Sequence, residues 1–143
     1  MASVVVLGAG RVGAAMALDL AGAGATVLAV DADPGSLRRL EAAGDGAVRT
    51  RSADLSDPAV LTRTVEGHDL VIGAVPGPMG FETLRRVLEA AVDVVDISFF
   101  EQDAFALDEA ARSAGRVAVV DAGVAPGLSN LILGHWEHRL RAV

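Results

Sequence analysis

Gly8-Ala9-Gly10-Arg11-Val12-Gly13 decides the fold, because it sets glycines in a G-x-G-x-x-G pattern directly after an apolar run. That run, Ser3–Leu7, is typical of a strand buried on both faces, and the apolar spacing within Arg11–Ala23 predicts a helix. Asp31 ends the next apolar run, 23 residues after Gly8. In dinucleotide-binding folds an acid lies about 20 residues beyond the glycine loop, so the arrangement predicts such a fold.

Each position of this glycine loop suits the binding of a diphosphate. Gly8 permits a tight turn, Gly10 lets the backbone approach a pyrophosphate, and Gly13 lets the helix pack closely. The N–H groups at the start of the helix attract an anion. We expect Asp31 to accept hydrogen bonds from ribose hydroxyls and to disfavour a 2′-phosphate, which makes NAD the expected cofactor and NADP the alternative. A glycine turn that serves only packing is the competing interpretation.

Short apolar runs alternate with helical segments along the whole chain. This alternation predicts a Rossmann-type, doubly wound parallel sheet of six strands with helices on both faces. The predicted strands are Ser3–Leu7, Thr26–Val30, Ala47–Thr50, Leu70–Ala74, Val92–Ile97 and Val117–Val120. The predicted helices between and after them are Arg11–Ala23, Ser36–Ala43, a segment from Pro58 to about Glu66, Phe81–Ala91, Asp103–Ser113, and a last helix from Pro126 to the C-terminus.

Further cofactor contacts are expected where other strands end, since open α/β sheets bind ligands at their carboxyl edge. Asp54 follows the third strand, and Ala74-Val75-Pro76 ends the fourth; a turn is the alternative role for both stretches. Asp33 either assists Asp31 or caps the N-terminus of the second helix, and the cap is the favoured interpretation. The predicted cofactor-binding residues are Gly8, Ala9, Gly10, Arg11, Val12, Gly13, Asp31, Asp54, Ala74, Val75 and Pro76.

The ends of the fifth and sixth strands combine acids with aromatic and glycine residues, which suits the mouth of a substrate site. Capping and core packing are the alternatives. Asp96 and Asp121 are candidate catalytic residues by position alone, and the expected substrate-side residues are Ser98, Phe99, Gly123 and Gly127. His135 and His138 lie three residues apart, but zinc needs three or four ligands, so no metal site is expected.

Composition excludes several functions. Acids outnumber bases by 19 to 12, giving a net charge of −7, and this argues against a nucleic-acid partner. The chain contains no Lys, Tyr or Cys, so it supplies no Schiff-base lysine and no thiolate nucleophile. The sequence shows neither a signal peptide nor an uninterrupted membrane span, which favours a cytoplasmic location without a membrane partner.

Four stretches together resemble the saccharopine dehydrogenase-like family, and within it the lysine dehydrogenase-type members. They are VVVLGAGRVGAAMALDLA (4–21), DLVIGAVPG (69–77), VDISFFEQD (95–103) and DAGVAPGLSN (121–130). The resemblance implies that 1–143 is the dinucleotide-binding domain of an enzyme acting on the C–N bond of an amino acid such as lysine or saccharopine. It also implies a second domain, absent from this chain, that supplies much of the substrate site and the dimer contacts. Ala125 stands where saccharopine reductases tend to carry an acid, which favours the lysine dehydrogenase-like branch.

As an isolated domain, the chain is expected to bind cofactor without catalysis and to expose an apolar patch around Phe99, Phe100 and Leu128. Self-association, for instance as a homodimer, is expected through that patch. A second resemblance provides the alternative function. The first 75 residues are also similar to the nucleotide-binding domains that regulate potassium transporters and channels, which share the glycine loop and an Asp54–Pro58 stretch, whereas VDISFF and GVAPG have no obvious use in that class.

Overall fold

The computed structural model describes residues 1–137 and residue 139, and within them six strands alternate with six α-helices. The strands are β1 (Ser3–Leu7), β2 (Thr26–Asp31), β3 (Val48–Ser52), β4 (Leu70–Gly73), β5 (Asp93–Asp96) and β6 (Ala118–Val119). The helices are α1 (Arg11–Gly22), α2 (Pro34–Gly44), α3 (Pro58–Val65), α4 (Gly77–Glu89), α5 (Asp108–Ala114) and α6 (Leu128–Glu137). A short 3₁₀ helix, Ala104–Leu107, leads directly into α5.

All six strands are parallel, in the order β3-β2-β1-β4-β5-β6. The chain winds outward in one direction from β1 to β3 and then returns to add β4 to β6 on the other side of β1. The order therefore reverses between β1 and β4, where open α/β sheets form a crevice for ligands at the strands' carboxyl ends. The predicted doubly wound Rossmann-type fold is confirmed.

Two apolar layers hold the sheet between its helices. On one face, β1 and β2 pack against α1 and α2 through a cluster that includes Val6, Ala17 and Leu40. On the other face, β4 and β5 pack against α3, α4 and α5, with Leu84 and Val94 in the cluster. Because both faces are covered, the central strands are almost continuously apolar, as is typical of parallel sheets. α6 contributes no buried residue to either layer.

Two aspartates cap helices, Asp33 as expected from the sequence and Asp57 in the same way. Asp33 accepts hydrogen bonds from the N–H groups of Gly35 and Ser36, and Asp57 accepts them from Ala59 and Val60. In each case a proline occupies the first helical position, where its missing N–H costs nothing. These caps fix the points at which α2 and α3 leave the carboxyl edge of the sheet.

The structure differs from the sequence prediction most at four elements. α4 begins at Gly77 rather than Phe81, since Pro78 fits the first helical turn instead of ending a turn before it. The predicted helix over Asp103–Ser113 is divided into the 3₁₀ helix and α5. β6 has only two residues, and the last helix begins at Leu128; its predicted continuation beyond Glu137 falls mostly outside the described residues. No helix in the described part of the chain has the length and hydropathy needed to cross a bilayer.

Candidate functional site

The glycine loop joins β1 to α1 at the point where the strand order reverses. Gly8 has φ +99°, and a Cβ there would lie 2.5 Å from the carbonyl oxygen of Ala74. A Cβ at Gly13 would lie 2.0 Å from the carbonyl oxygen of Gly8. Both glycines are therefore required by the protein's own packing, which holds the loop against the end of β4 and brings α1 up to the loop.

Gly10 differs from its two neighbours in the motif because it faces open space. A Cβ at this position would meet no atom within 4 Å, and its φ of −64° is accessible to any residue. Gly10 is the N-cap residue of α1 and supplies no side-chain cap. Arg11 and Val12 beside it are also exposed. The backbone N–H groups at this helix start are thus accessible to an external anion, which is what the binding of a diphosphate requires.

Asp31 lies at the carboxyl end of β2, beside the glycine loop. One carboxylate oxygen accepts a hydrogen bond from the Ala9 N–H at 2.7 Å, and the other accepts one from the Asp33 N–H at 2.8 Å. The side chain remains partly exposed. Its carboxylate therefore holds the glycine loop in place through the Ala9 N–H. The remaining lone pairs of its oxygens can accept hydrogen bonds at the edge where ribose hydroxyls lie in a dinucleotide-binding fold.

The other predicted cofactor contacts fall into an exposed turn and a partly buried strand end. Asp54 is exposed, and its carboxylate accepts hydrogen bonds from the Ser56 hydroxyl and N–H, which lower its pKa. Ala74 is partly buried against the glycine loop, Val75 belongs to the core, and Pro76 is exposed as the N-cap of α4. The structure brings Ala74 and the loop into contact, whereas Asp54 has the geometry of a turn residue.

Asp96 ends β5 as a fully buried carboxyl group. One oxygen accepts hydrogen bonds from the N–H and hydroxyl of Ser98, and the other, Oδ2, has no hydrogen-bond partner in the described part of the chain. Burial raises the pKa of Asp96 to about 6 despite the Ser98 hydrogen bonds, and the negative charge of Asp121 adds to the rise. A Cβ at Gly73 would lie 2.0 Å from the unpartnered oxygen. Sequence reasoning did not assign Gly73 this role, although a glycine ending an apolar strand was a visible signal.

Two further glycines, on α4, make room for the residues that follow Asp96. A Cβ at Gly77 would lie 2.1 Å from the Phe99 carbonyl oxygen, and one at Gly80 would lie 2.2 Å from the Ser98 hydroxyl. Ser98 is buried as a result, while the Phe99 side chain is 70% exposed. Phe100 is partly buried and packs edge-on against Phe81, with ring centroids 5.8 Å apart. The sequence-based expectation that Phe100 belongs to an exposed patch is therefore wrong, whereas Phe99 and Leu128 are exposed.

The loop after β6 lines an open cavity of about 610 Å³ at the same edge of the sheet. Asp121 has φ +54° and is exposed, so of the two candidate acids it alone is accessible to a ligand here. Gly127 has φ +127°, and a Cβ there would lie 2.2 Å from the Gly123 carbonyl oxygen. Glycine is therefore needed at position 127 to close this loop, and Asp121 lies at the opening of the cavity.

Among residues 1–137 and 139, no three His, Asp or Glu side chains form a group that could hold a metal ion. His138 lies outside that part of the chain.

Comparisons with known proteins point to the same kind of domain as the glycine loop and the strand order do. The family model described as the saccharopine dehydrogenase NADP binding domain matches residues 4–119. A saccharopine dehydrogenase [NADP(+), L-glutamate-forming] of Pyricularia oryzae is 31% identical over 80 residues, which are 56% of this chain and 18% of that protein. The corresponding Schizosaccharomyces pombe enzyme is 30% identical over 78 residues, 54% of this chain and 17% of its own. The chain thus spans less than a fifth of these relatives.

Solved structures share the fold. The apo saccharopine dehydrogenase (L-Glu forming) of Saccharomyces cerevisiae superposes with a TM-score of 0.78 at 22% identity, covering 92% of this chain and 29% of that one. The shikimate dehydrogenase of Mycobacterium tuberculosis gives a TM-score of 0.64 at 21% identity, covering 91% of this chain and 47% of that one. At these identities the likeness establishes the fold alone.

Proposed function

Since the chain belongs to the family of saccharopine dehydrogenase NADP binding domains, we propose that it is the cofactor-binding part of an oxidoreductase acting on the C–N bond of an amino acid such as lysine or saccharopine. Membership of the family gives the oxidoreductase class and the NAD(P) type of cofactor. The amino-acid substrate is the finer part of the proposal, supported by the DISFF and GVAPG stretches at the carboxyl edge.

The accessible helix start at Gly10 carries the proposal. Gly8 and Gly13 are needed for internal packing, but the absence of a side chain at Gly10 has no internal use, because nothing lies within 4 Å of its Cβ position. A ligand that closely approaches the backbone would explain why position 10 is a glycine. A diphosphate fits that requirement, with Asp31 placed for the ribose next to it.

In the proposed reaction, the amino acid would bind near Phe99 and the Gly123–Gly127 loop, on the side of the site expected for the nicotinamide. The nicotinamide supplies the hydride chemistry when bound. Loss of the C–H hydride to the oxidised cofactor and of the N–H proton to solvent would leave a C=N bond, and addition of water to that bond would release a carbonyl compound and the amine. The chain's contribution is to orient the cofactor and to place the negative charge of Asp121 at the substrate side. Other substrate-binding groups come from sequence outside these 143 residues, as the greater length of the relatives suggests.

A calorimetric titration of the chain with NAD, NADP and ATP, repeated on Gly10→Ala, tests the cofactor site. We expect a dinucleotide to bind, and the added methyl group to weaken its binding at least about tenfold, because it occupies the space of the diphosphate. Gly22→Ala is the matched control, since its Cβ position in α1 is equally free of neighbours, and its binding should match the wild type.

A stability control and two contrary outcomes complete the test. Thermal unfolding of Gly10→Ala should match the wild type within a few degrees, which separates loss of binding from loss of fold. Tighter binding of ATP than of either dinucleotide would instead favour a nucleotide-sensing regulatory domain. Equal dinucleotide binding by Gly10→Ala and wild type would contradict the assignment of the glycine loop.

The cytoplasmic location expected from the sequence stays a prediction, which microscopy of the tagged full-length protein would test.

A further inference from the structure

The corner where β2 passes into α2 carries two carboxylates within three residues. Asp31 ends β2, and its oxygens are held by the N–H groups of Ala9 and Asp33 at 2.7 and 2.8 Å. Asp33 follows as the N-cap of α2. In a dinucleotide complex this corner receives the adenosine ribose. The two charges are therefore fixed beside the 2′ position, the one place where NAD and NADP differ.

The start of α2 is already occupied by an anion of the chain itself. The Asp33 carboxylate accepts hydrogen bonds from the Gly35 N–H at 2.8 Å, the Ser36 N–H at 3.0 Å and the Ser36 hydroxyl at 2.8 Å. These hydrogen bonds, with Arg39 nearby, lower the pKa of Asp33, so it is ionised at neutral pH. A helix start is the usual place for a phosphate group, but here its donors are taken and a like charge stands in front of them.

Arg39 is the cation held at this corner, and it is already engaged. Its guanidinium donates a hydrogen bond to the Ser36 hydroxyl at 2.9 Å and lies 3.7 Å from the Asp33 carboxylate. The charge of Arg39 is therefore already offset by that of Asp33. Arg11 and Arg39 also line a small cavity of about 180 Å³ with Ser36, which is the competing place for a phosphate group.

We propose that Asp31 and Asp33 together select a dinucleotide with a free 2′-hydroxyl, so that this chain prefers NAD although its family model and its relatives are described with NADP. The inference rests on the proposed function and specifies the cofactor of the same site. A 2′-phosphate brought to this corner meets two fixed carboxylates and a helix start without free donors, and such like-charge contacts reject the wrong ligand. A 2′-hydroxyl can instead donate a hydrogen bond to Asp31.

Parallel titrations with NAD and NADP test the preference. For the wild type we expect NAD to bind at least about tenfold more tightly. In the double variant Asp31→Ser, Asp33→Ser, the ratio should move toward NADP by about tenfold or more, because both charges are gone while serine still caps α2. Asp33→Asn is the milder variant, since asparagine caps as well as aspartate does. It should raise NADP affinity with little effect on NAD.

The alternative phosphate cavity is tested with Arg39→Ala and its neighbour Arg38→Ala. Arg38 is exposed on the same helix and does not line the cavity. Equal NAD binding by both variants supports the proposal. Tighter wild-type binding of NADP, lost in Arg39→Ala and retained in Arg38→Ala, would overturn it and place the 2′-phosphate between Arg11 and Arg39. If neither dinucleotide binds the wild type, the proposed function itself is wrong, and this inference with it.

Discussion

At the scale of single residues, the carboxyl edge of the sheet contains two acids in opposite situations. Asp31 has both oxygens hydrogen-bonded and remains partly exposed. Asp96 is fully buried, and one of its oxygens has no partner among residues 1–137 and 139. An exposed, well-supported carboxylate is suited to a ligand, whereas a buried one is disfavoured when charged. Residue type alone therefore does not determine the role of an acid at this edge.

The burial of Asp96 predicts an unusual dependence of stability on pH. Its pKa is raised from 3.8 to about 6 in the folded protein, so the folded state holds the proton more tightly than the unfolded state. Its contribution to stability is greatest below pH 4 and is lost as the pH rises to about 6, by up to about 3 kcal/mol. Asp96→Asn removes this dependence.

Urea unfolding at pH 4, 5, 6, 7 and 8 measures this effect as a difference between wild type and Asp96→Asn. Other carboxylates act in the opposite direction, since Asp33, Asp54 and Glu82 have lowered pKa values, but they are common to both proteins. The variant should gain stability relative to the wild type between pH 4 and 6 and keep a constant difference above pH 7. A difference that does not change with pH would show that Asp96 titrates normally.

At the scale of elements, α4 is placed by glycines rather than by apolar side chains alone. The sequence G-P-M-G looks like a turn, but the structure makes it the first turn of a helix whose glycines contact the segment after β5. Periodicity could predict the apolar side of this helix, since Leu84 and Val87 are buried in the core. It could not predict the glycine contacts, because these depend on which distant backbone passes nearby.

Gly80→Ala tests this packing. Its Cβ would lie 2.2 Å from the Ser98 hydroxyl and 2.7 Å from the Phe100 ring, so we expect a loss of about 1–3 kcal/mol of stability from overpacking. Gly134→Ala is the control: it lies within α6, and no atom of the described residues comes within 4 Å of its Cβ position. Alanine there should be neutral or stabilise by up to about 1 kcal/mol. Chemical denaturation of both variants measures the difference, and equal stabilities would contradict the contact.

At the scale of the whole molecule, the strand and helix order could be predicted from the sequence, whereas the length of β6 and the exposure of α6 could not. Strand alternation, the glycine loop and the acid that ends β2 define the fold because each follows from local sequence. The shortness of β6 and the exposure of α6 do not, since they depend on what packs against the ends of the sheet. α6 is apolar and exposed, with side chains of Leu131, Leu133 and Trp136 uncovered.

This exposed helix predicts concentration-dependent self-association of the chain. Large apolar patches on isolated proteins tend to find a partner, and Leu131 is 73% exposed. Leu131→Glu should lower the average mass seen by light scattering at high concentration without changing the unfolding temperature. Phe105→Glu is the matched control, since Phe105 is 83% exposed but lies before α5. A monomeric mass for the wild type at all concentrations would contradict the prediction.

The hydrogen bond from the Ala9 N–H to Asp31 bears on the kinetics of the proposed binding. One carboxylate both supports the glycine loop and faces the expected ribose position, so the two halves of the site are joined before any ligand arrives. The glycine loop therefore loses little conformational entropy when a ligand binds. Capture of a dinucleotide would be limited by diffusion and orientation rather than by a slow rearrangement of the protein, and its affinity would be set mainly by how long the complex lasts.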